Sequence, residues 1–202
     1  MADEIELKFE IENYEELVKK IIKLAEFKSS AYELTVMYDE GKKLFEKDAR
    51  LRLRKIIDLT NDKETAEFSY KKPKTREGIK IEEEYEVSVS NFKETEEILK
   101  NIGFEKVSSY ERIRDTFLSD ETKITIDSFP FGDYLEIEGD LSKIKLFAQE
   151  LNLDMSKNIT KSCDDIYADV CIADGKDVDD NITFENSEEL EKEKDKRAVF
   201  LK

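Results

Sequence analysis

Residues 4–10, Glu4-Ile5-Glu6-Leu7-Lys8-Phe9-Glu10, alternate without a break between charged and apolar side chains. Successive side chains of an extended strand point to opposite faces, so Ile5, Leu7 and Phe9 share one face while Glu4, Glu6, Lys8 and Glu10 share the other. The same period-two pattern returns in Arg50–Arg54, Glu67–Lys71, Ile79–Val87, Tyr110–Phe117, Lys123–Asp127 and Tyr134–Glu138, with a further extended segment at Tyr32–Asp39. One charged strand face is ordinarily a solvated surface. Here the sign of the charge is sorted by strand. Carboxylates dominate the first and last strands, and arginines and lysines several of those between, which a merely solvated face does not require.

The connecting segments carry helix signals. Asn13 with Glu16 and Asn91 with Glu94 form capping boxes, predicting a helix over about 14–27 and a second that stops at Gly103. Leu141–Leu151 and Ser162–Cys171 have helical spacing, Pro73 is read as stopping the strand before it, and Asn181–Phe184 and Ser187–Arg197 read as a short strand and a charged helix or frayed tail. The segment Phe27–Glu33 is faintly echoed by Phe104–Glu111, suggesting a duplicated helix-then-strand unit. These elements divide into a main domain over 1–173 and an acidic C-terminal extension over 174–202.

The 202 residues are ample for one core, and 42% charged against 39% hydrophobic residues describes a folded, highly charged chain. A net charge of -16 excludes a general nucleic-acid or anionic-membrane surface, because phosphate backbones are held by basic patches. No apolar run approaches the roughly 20 residues of a membrane span, and no signal-like segment follows the first methionine, so a cytoplasmic location is expected. Cys163 and Cys171, placed on one helix, would stand about 12 Å apart, too far for a disulfide. The chain has no histidine, so any catalysis falls to carboxylates, lysines or metal-bound water.

In an open sheet the charged faces would meet water; in a closed barrel they would line a lumen while helices cover the outside. Eight or so antiparallel strands suffice for closure around a small ligand. The expected architecture is therefore α+β, an eight-stranded antiparallel closed β-barrel with helices packed outside. Lys8, Arg52, Arg54, Lys71, Arg112 and Arg114 are costly to bury unpaired, and a polyphosphate matches them with anionic oxygens. Glu4, Glu6, Asp127, Glu136 and Glu138 would repel that ligand unless they hold a hard divalent cation, for which magnesium or manganese is suited.

These residues resemble the CYTH superfamily, the triphosphate tunnel metalloenzymes that include class IV adenylyl cyclases, thiamine triphosphatases and inorganic triphosphatases. Glu4-Ile5-Glu6-Leu7-Lys8 is similar to its N-terminal E-x-E-x-K motif, Leu51-Arg52-Leu53-Arg54 to L-R-x-R, and Lys71-Lys72-Pro73 to a K-G-P turn. Lys80-x-Glu82-x-Glu84 and Arg112-x-Arg114 resemble its later charged strands, and Asp127 with Gly132–Gly139 its closing acidic motif. The resemblance spans residues 4–172. It implies triphosphate contacts from Lys8, Arg52, Arg54, Lys71, Lys80, Arg112 and Arg114, metal ligation by Glu4, Glu6, Asp127, Glu136 and Glu138, and Glu4, Glu6 and Lys8 as catalytic candidates. Glu33 and Thr35 stand where many members have glutamine and aspartate, and Lys72 replaces the glycine before proline.

The leading expectation is metal-dependent hydrolysis of an inorganic or organic triphosphate, with a water activated by a carboxylate such as Glu4 or by the metal. ATP cyclisation in the same tunnel is the second, and a non-catalytic polyphosphate-binding module the third. The expected partner is a small triphosphate rather than nucleic acid or membrane, with a homodimer left open.

Overall fold

A computed structural model describes residues 3–75 and 77–197, apart from the side chains of residues 3 and 4. Eight antiparallel strands form the barrel: β1 (Asp3–Ile11), β2 (Glu26–Asp39), β3 (Arg50–Asp58), β4 (Glu64–Thr75), β5 (Lys80–Val89), β6 (Glu105–Ser119), β7 (Thr122–Phe129) and β8 (Gly132–Glu138). Their spatial order is β2-β3-β4-β5-β1-β8-β7-β6, and β6 pairs back onto β2, so the sheet closes on itself. Closure removes free sheet edges along the wall.

The helices α1 (Tyr14–Ile21), α2 (Phe92–Asn101), α3 (Leu141–Glu150), α4 (Cys163–Asp174) and α5 (Ser187–Asp195) lie outside. Asn13, Asn91 and Ser162 cap the first, second and fourth by accepting from Glu16, Glu94 and Asp165 amides. The main apolar core sits between barrel and helices rather than inside the barrel. Leu7, Phe9, Ile124, Ile126, Leu135 and Ile137 project outward onto Leu17, Ile21, Ile144 and Phe147. A second cluster packs Val36, Tyr38 and Leu53 against Leu99 of α2. Alternation thus gives each strand an oily exterior and a charged interior. Gly139 ends β8 at φ 149°, where a Cβ would come within 3.2 Å of the Glu121 carbonyl oxygen.

Two expectations change. The first helix ends at Ile21 rather than near 27, because Glu26–Ala31 is recruited into the long β2–β6 ladder, with Phe27 edge-on to Phe117 at 5.5 Å. The strand before Pro73 runs on to Thr75; the proline pairs opposite Glu82 at a register shift, where its missing N–H is tolerated. Each echoed segment follows a helix and enters a barrel strand, β2 after α1 and β6 after α2, and the two strands are antiparallel neighbours. Tyr110 lines the lumen, whereas Tyr32 hydrogen-bonds Glu111 through its hydroxyl (2.8 Å). The extension carries the expected short strand, β9 (Asn181–Ile182), which pairs in parallel with β6 at Ser109 and Tyr110, and its charged segment forms α5. Both cysteines are free thiols. No helix among the described residues is long and apolar enough to cross a membrane.

Candidate functional site

The lumen is a cavity of about 360 Å³ walled by side chains from the barrel strands and by Ser162 and Cys163. Among the described residues nine cations and eight carboxylates line it, so the cavity is close to neutral despite its arginines. An incoming anion must therefore displace ion pairs or arrive with compensating positive charge.

The register explains who meets whom. Arg114 lies opposite Asp127 in the β6–β7 ladder, and the two form a forked pair, Nε to Oδ1 and Nη2 to Oδ2, each at 2.5 Å. Arg112 reaches the same carboxylate (Nη1 to Oδ2, 2.9 Å) and donates from Nε to Glu33 at 2.7 Å. Arg114 also donates to Glu136 (2.7 Å), whose other oxygen is 3.1 Å from Lys8 Nζ. On the opposite side Lys80 Nζ lies 3.0 Å from Glu6 and 2.8 Å from Glu82, and Arg50 pairs with Glu82. Arg52 meets Ser69 (2.7 Å) and Glu84 (3.2 Å), and Lys71 meets Glu84 at 3.0 Å.

Electrostatics follow from this pairing. Burial works against the charged form of Lys8, but Glu136 and Glu6 outweigh it and hold the ammonium well above its usual range. Burial likewise opposes ionisation of Glu33, yet Arg112 and Arg54 pull it well below the carboxylate range. Glu136, also desolvated, is driven down by Lys8 and Arg114. Arg54 shifts the other way: burial and the neighbouring Arg52 lower it, only partly offset by Glu33. Its Nη2 is buried without a hydrogen-bond partner, as are Arg50 Nε and Thr125 Oγ1. Unsatisfied buried donors of this kind are suited to an anionic ligand.

Of the expected site residues, Glu6, Lys8, Arg52, Arg54, Lys71, Lys80, Arg112, Arg114, Glu136 and Glu138 all line this cavity. Glu6, Glu136 and Glu138 each offer an oxygen within 4.8 Å of the others. Three hard oxygen donors at that spacing fit a magnesium- or manganese-like cation. Asp127 is not in this group; it is fully buried with both oxygens committed to arginines. Glu4 sits opposite Glu82 in the ladder, and its side chain lies outside the described residues. Sequence reasoning passed over Arg50, Glu82 and Glu84 as lumen residues, although each is in phase with Arg52 or Lys80. It also passed over Cys163, whose thiol is pushed up to about 12, first by burial and then by Asp164. Beyond Arg50 and Ser162 lies a second cavity of about 480 Å³, walled by Tyr38, Leu51, Val107, Tyr167 and Ile182 among others.

The family model described as the CYTH domain matches residues 2–168. A candidate adenylate cyclase of Methanocaldococcus jannaschii is 26% identical over 166 residues, covering 78% of this chain and 91% of that protein. The crystal structure of a candidate adenylate cyclase from Vibrio parahaemolyticus superimposes with TM-score 0.70 at 20% identity, covering 81% of this chain and 96% of that one. A Hippeastrum adenylyl cyclase candidate described as having a dominant triphosphatase activity gives TM-score 0.60 at 16% identity, with 87% and 97% covered.

Proposed function

We propose that this chain, which belongs to the CYTH domain family, hydrolyses a triphosphate, inorganic or organic, inside its barrel. The reading is carried by one observation. Glu6, Glu136 and Glu138 converge beside Lys8, Lys80 and Arg114 in a barrel lumen whose cations otherwise spend their charge on carboxylates.

In this reading Arg52, Arg54, Lys71, Arg112 and Arg114 exchange their carboxylate partners for phosphate oxygens, with Lys8 and Lys80 holding the end nearest the acidic cluster. Glu6, Glu136 and Glu138 would hold a magnesium or manganese ion. When bound, that ion supplies Lewis-acid neutralisation of phosphate charge. Glu6 or Glu4 accepts a proton from the attacking water, the role that an absent histidine leaves to a carboxylate. The arginines stabilise charge on the transferred phosphoryl group, and the closed wall limits bulk water.

The test supplies tripolyphosphate, thiamine triphosphate and ATP in turn with either metal and separates the products. Orthophosphate release is expected. Cyclic AMP and pyrophosphate from ATP, without orthophosphate, would overturn hydrolysis. That cyclisation is the second reading; it is supported by the name of the archaeal relative and by the second cavity beyond Arg50, where an adenosine group could sit.

A further inference from the structure

Residues 174–197 lie beyond the stretch matched by the family model, yet they are tied to the wall of the lumen. They meet β6 in order along its length. Ser109 Oγ donates to Asn181 Oδ1 (2.8 Å), the Phe184 amide donates to Glu111 Oε2 (3.0 Å), and Arg197 reaches Asp115 with Nε 3.1 Å from Oδ2.

That last contact is the centre of a buried polar network. Arg197, Asp115, Ser128 and Ser30 are each fully buried. Arg197 Nη2 donates to Ser128 Oγ at 2.6 Å, and its guanidinium carbon lies 5.0 Å from the centre of the Tyr14 ring. Asp115 also accepts from the Tyr14 hydroxyl (2.8 Å) and from Ser30 Oγ (2.7 Å). One cluster thus joins α1, β2, β6, β7 and the C-terminal segment.

Its place relative to the lumen is what matters. Asp115 follows Arg114 and Ser128 follows Asp127, and strand alternation turns each to the opposite face. Inside, Arg114 clamps Asp127 across the β6–β7 ladder; outside, beside the same rung, Arg197 bridges Asp115 to Ser128. The neighbouring β2–β6 ladder has a register shift between Phe27 and Ser29, one residue before Ser30, which the same cluster holds through Asp115.

We propose that Arg197 is a positioning residue for the lumen: by tying β6 to β7 from behind, it sets the aim of Arg112 and Arg114 at a bound phosphate chain. This rests on the reading of the lumen as a triphosphate site. A guanidinium fork spans two acceptors, which an ammonium point charge does not. A buried pair also adds little stability over an apolar replacement, so its role in geometry can be separated from its role in folding.

The experiment compares the unmodified protein with Arg197→Lys, Arg197→Met and the double variant Arg197→Met/Asp115→Asn, by thermal melting and by calorimetric titration with tripolyphosphate. Arg197→Lys is expected to melt near the unmodified protein and to bind roughly threefold to tenfold more weakly. Arg197→Met is expected to melt lower, because Asp115 is left buried without a counter-ion. The double variant is expected to regain melting temperature without regaining affinity. Unchanged affinity in either Arg197→Lys or the double variant would overturn the inference and leave Arg197 a stabilising residue only. If the unmodified protein binds neither tripolyphosphate, thiamine triphosphate nor ATP, the proposed function falls, and this inference with it.

Discussion

Glu33 and Arg112 are joined across the β2–β6 seam, the Arg112 Nε donating to Glu33 Oε2 at 2.7 Å, and the same oxygen lies 3.4 Å from Arg54 Nε. A single buried carboxylate thereby occupies two of the cations that the proposed function assigns to phosphate. It acts as a resident anion in the free protein.

Glu33→Gln is therefore expected to lower the melting temperature of the free protein and to tighten tripolyphosphate binding by roughly tenfold, since removing one lumen carboxylate raises the local positive potential. Calorimetry checks the second effect. Weaker binding would show that Glu33 orients the arginines rather than competing for them.

Glu138→Gln removes one of the three clustered oxygen donors, and its ion-pair partner Lys123 is partly exposed, so folding should survive. Metal-dependent phosphate release is expected to fall roughly 10- to 100-fold, with part of the loss recovered at higher magnesium or manganese. A chelator should abolish release by the unmodified protein. Unchanged release in the variant would remove Glu138 from the site.

The pH dependence of stability has a definite sign. Glu33, Glu82 and Glu136 are held below the ordinary carboxylate range despite burial, by their arginine and lysine partners. Their contribution is present above about pH 4.3 and is lost as the pH falls through their folded-state values. Lys8 and Lys80 are raised, Glu6 being a shared cause, and contribute below about pH 10.4, losing that as the pH rises through their folded values. Asp115, raised by burial, works against the other carboxylates and softens the acid limb. Melting temperature should be flat between about pH 5 and 8 and fall above that, because the Cys163 thiol, pushed up to about 12 by burial, ionises far more readily in the unfolded chain. A steady decline from pH 7 to 5 would contradict the pairing described.

Cys163 lines the lumen and its thiol is pushed up to about 12, so it should resist alkylation at pH 8. Relative to an ordinary exposed thiol, labelling by iodoacetamide is expected to be slower by about a thousandfold, from the lost thiolate fraction alone. Rapid labelling, read by mass spectrometry, would mean that this end of the lumen opens to solvent.

Leu7 is fully buried in the outer core, its side chain turned away from the neighbouring lumen residues Glu6 and Lys8. Leu7→Ala should cost about 2–5 kcal/mol in denaturant unfolding. A loss well below 1 kcal/mol would mean that the outer core relaxes to fill the space.

Strand faces were legible because alternation is local: Arg52 and Arg54, or Glu6 and Lys8, must share a side whatever the strands pair with. Helix caps at Asn13 and Asn91 were legible for the same reason, each needing only a donor three residues ahead. The end of the first helix was not, because Phe27 is extended by its ladder to Phe117, 90 residues away.

The order of charges along the chain therefore determined by itself that the strands have a charged face, and which residues stand on it. Tertiary structure alone decided what those charges do. Closure of β2 onto β6 made the charged faces an interior. Register gave Asp127 to two arginines and brought Glu6, on β1, to Glu136 and Glu138 on β8. It also carried Arg197 to Asp115, behind the strand that holds Arg114. Pairings between segments from about a dozen to more than a hundred residues apart depend on which strands become neighbours, and local alternation carries no record of that choice.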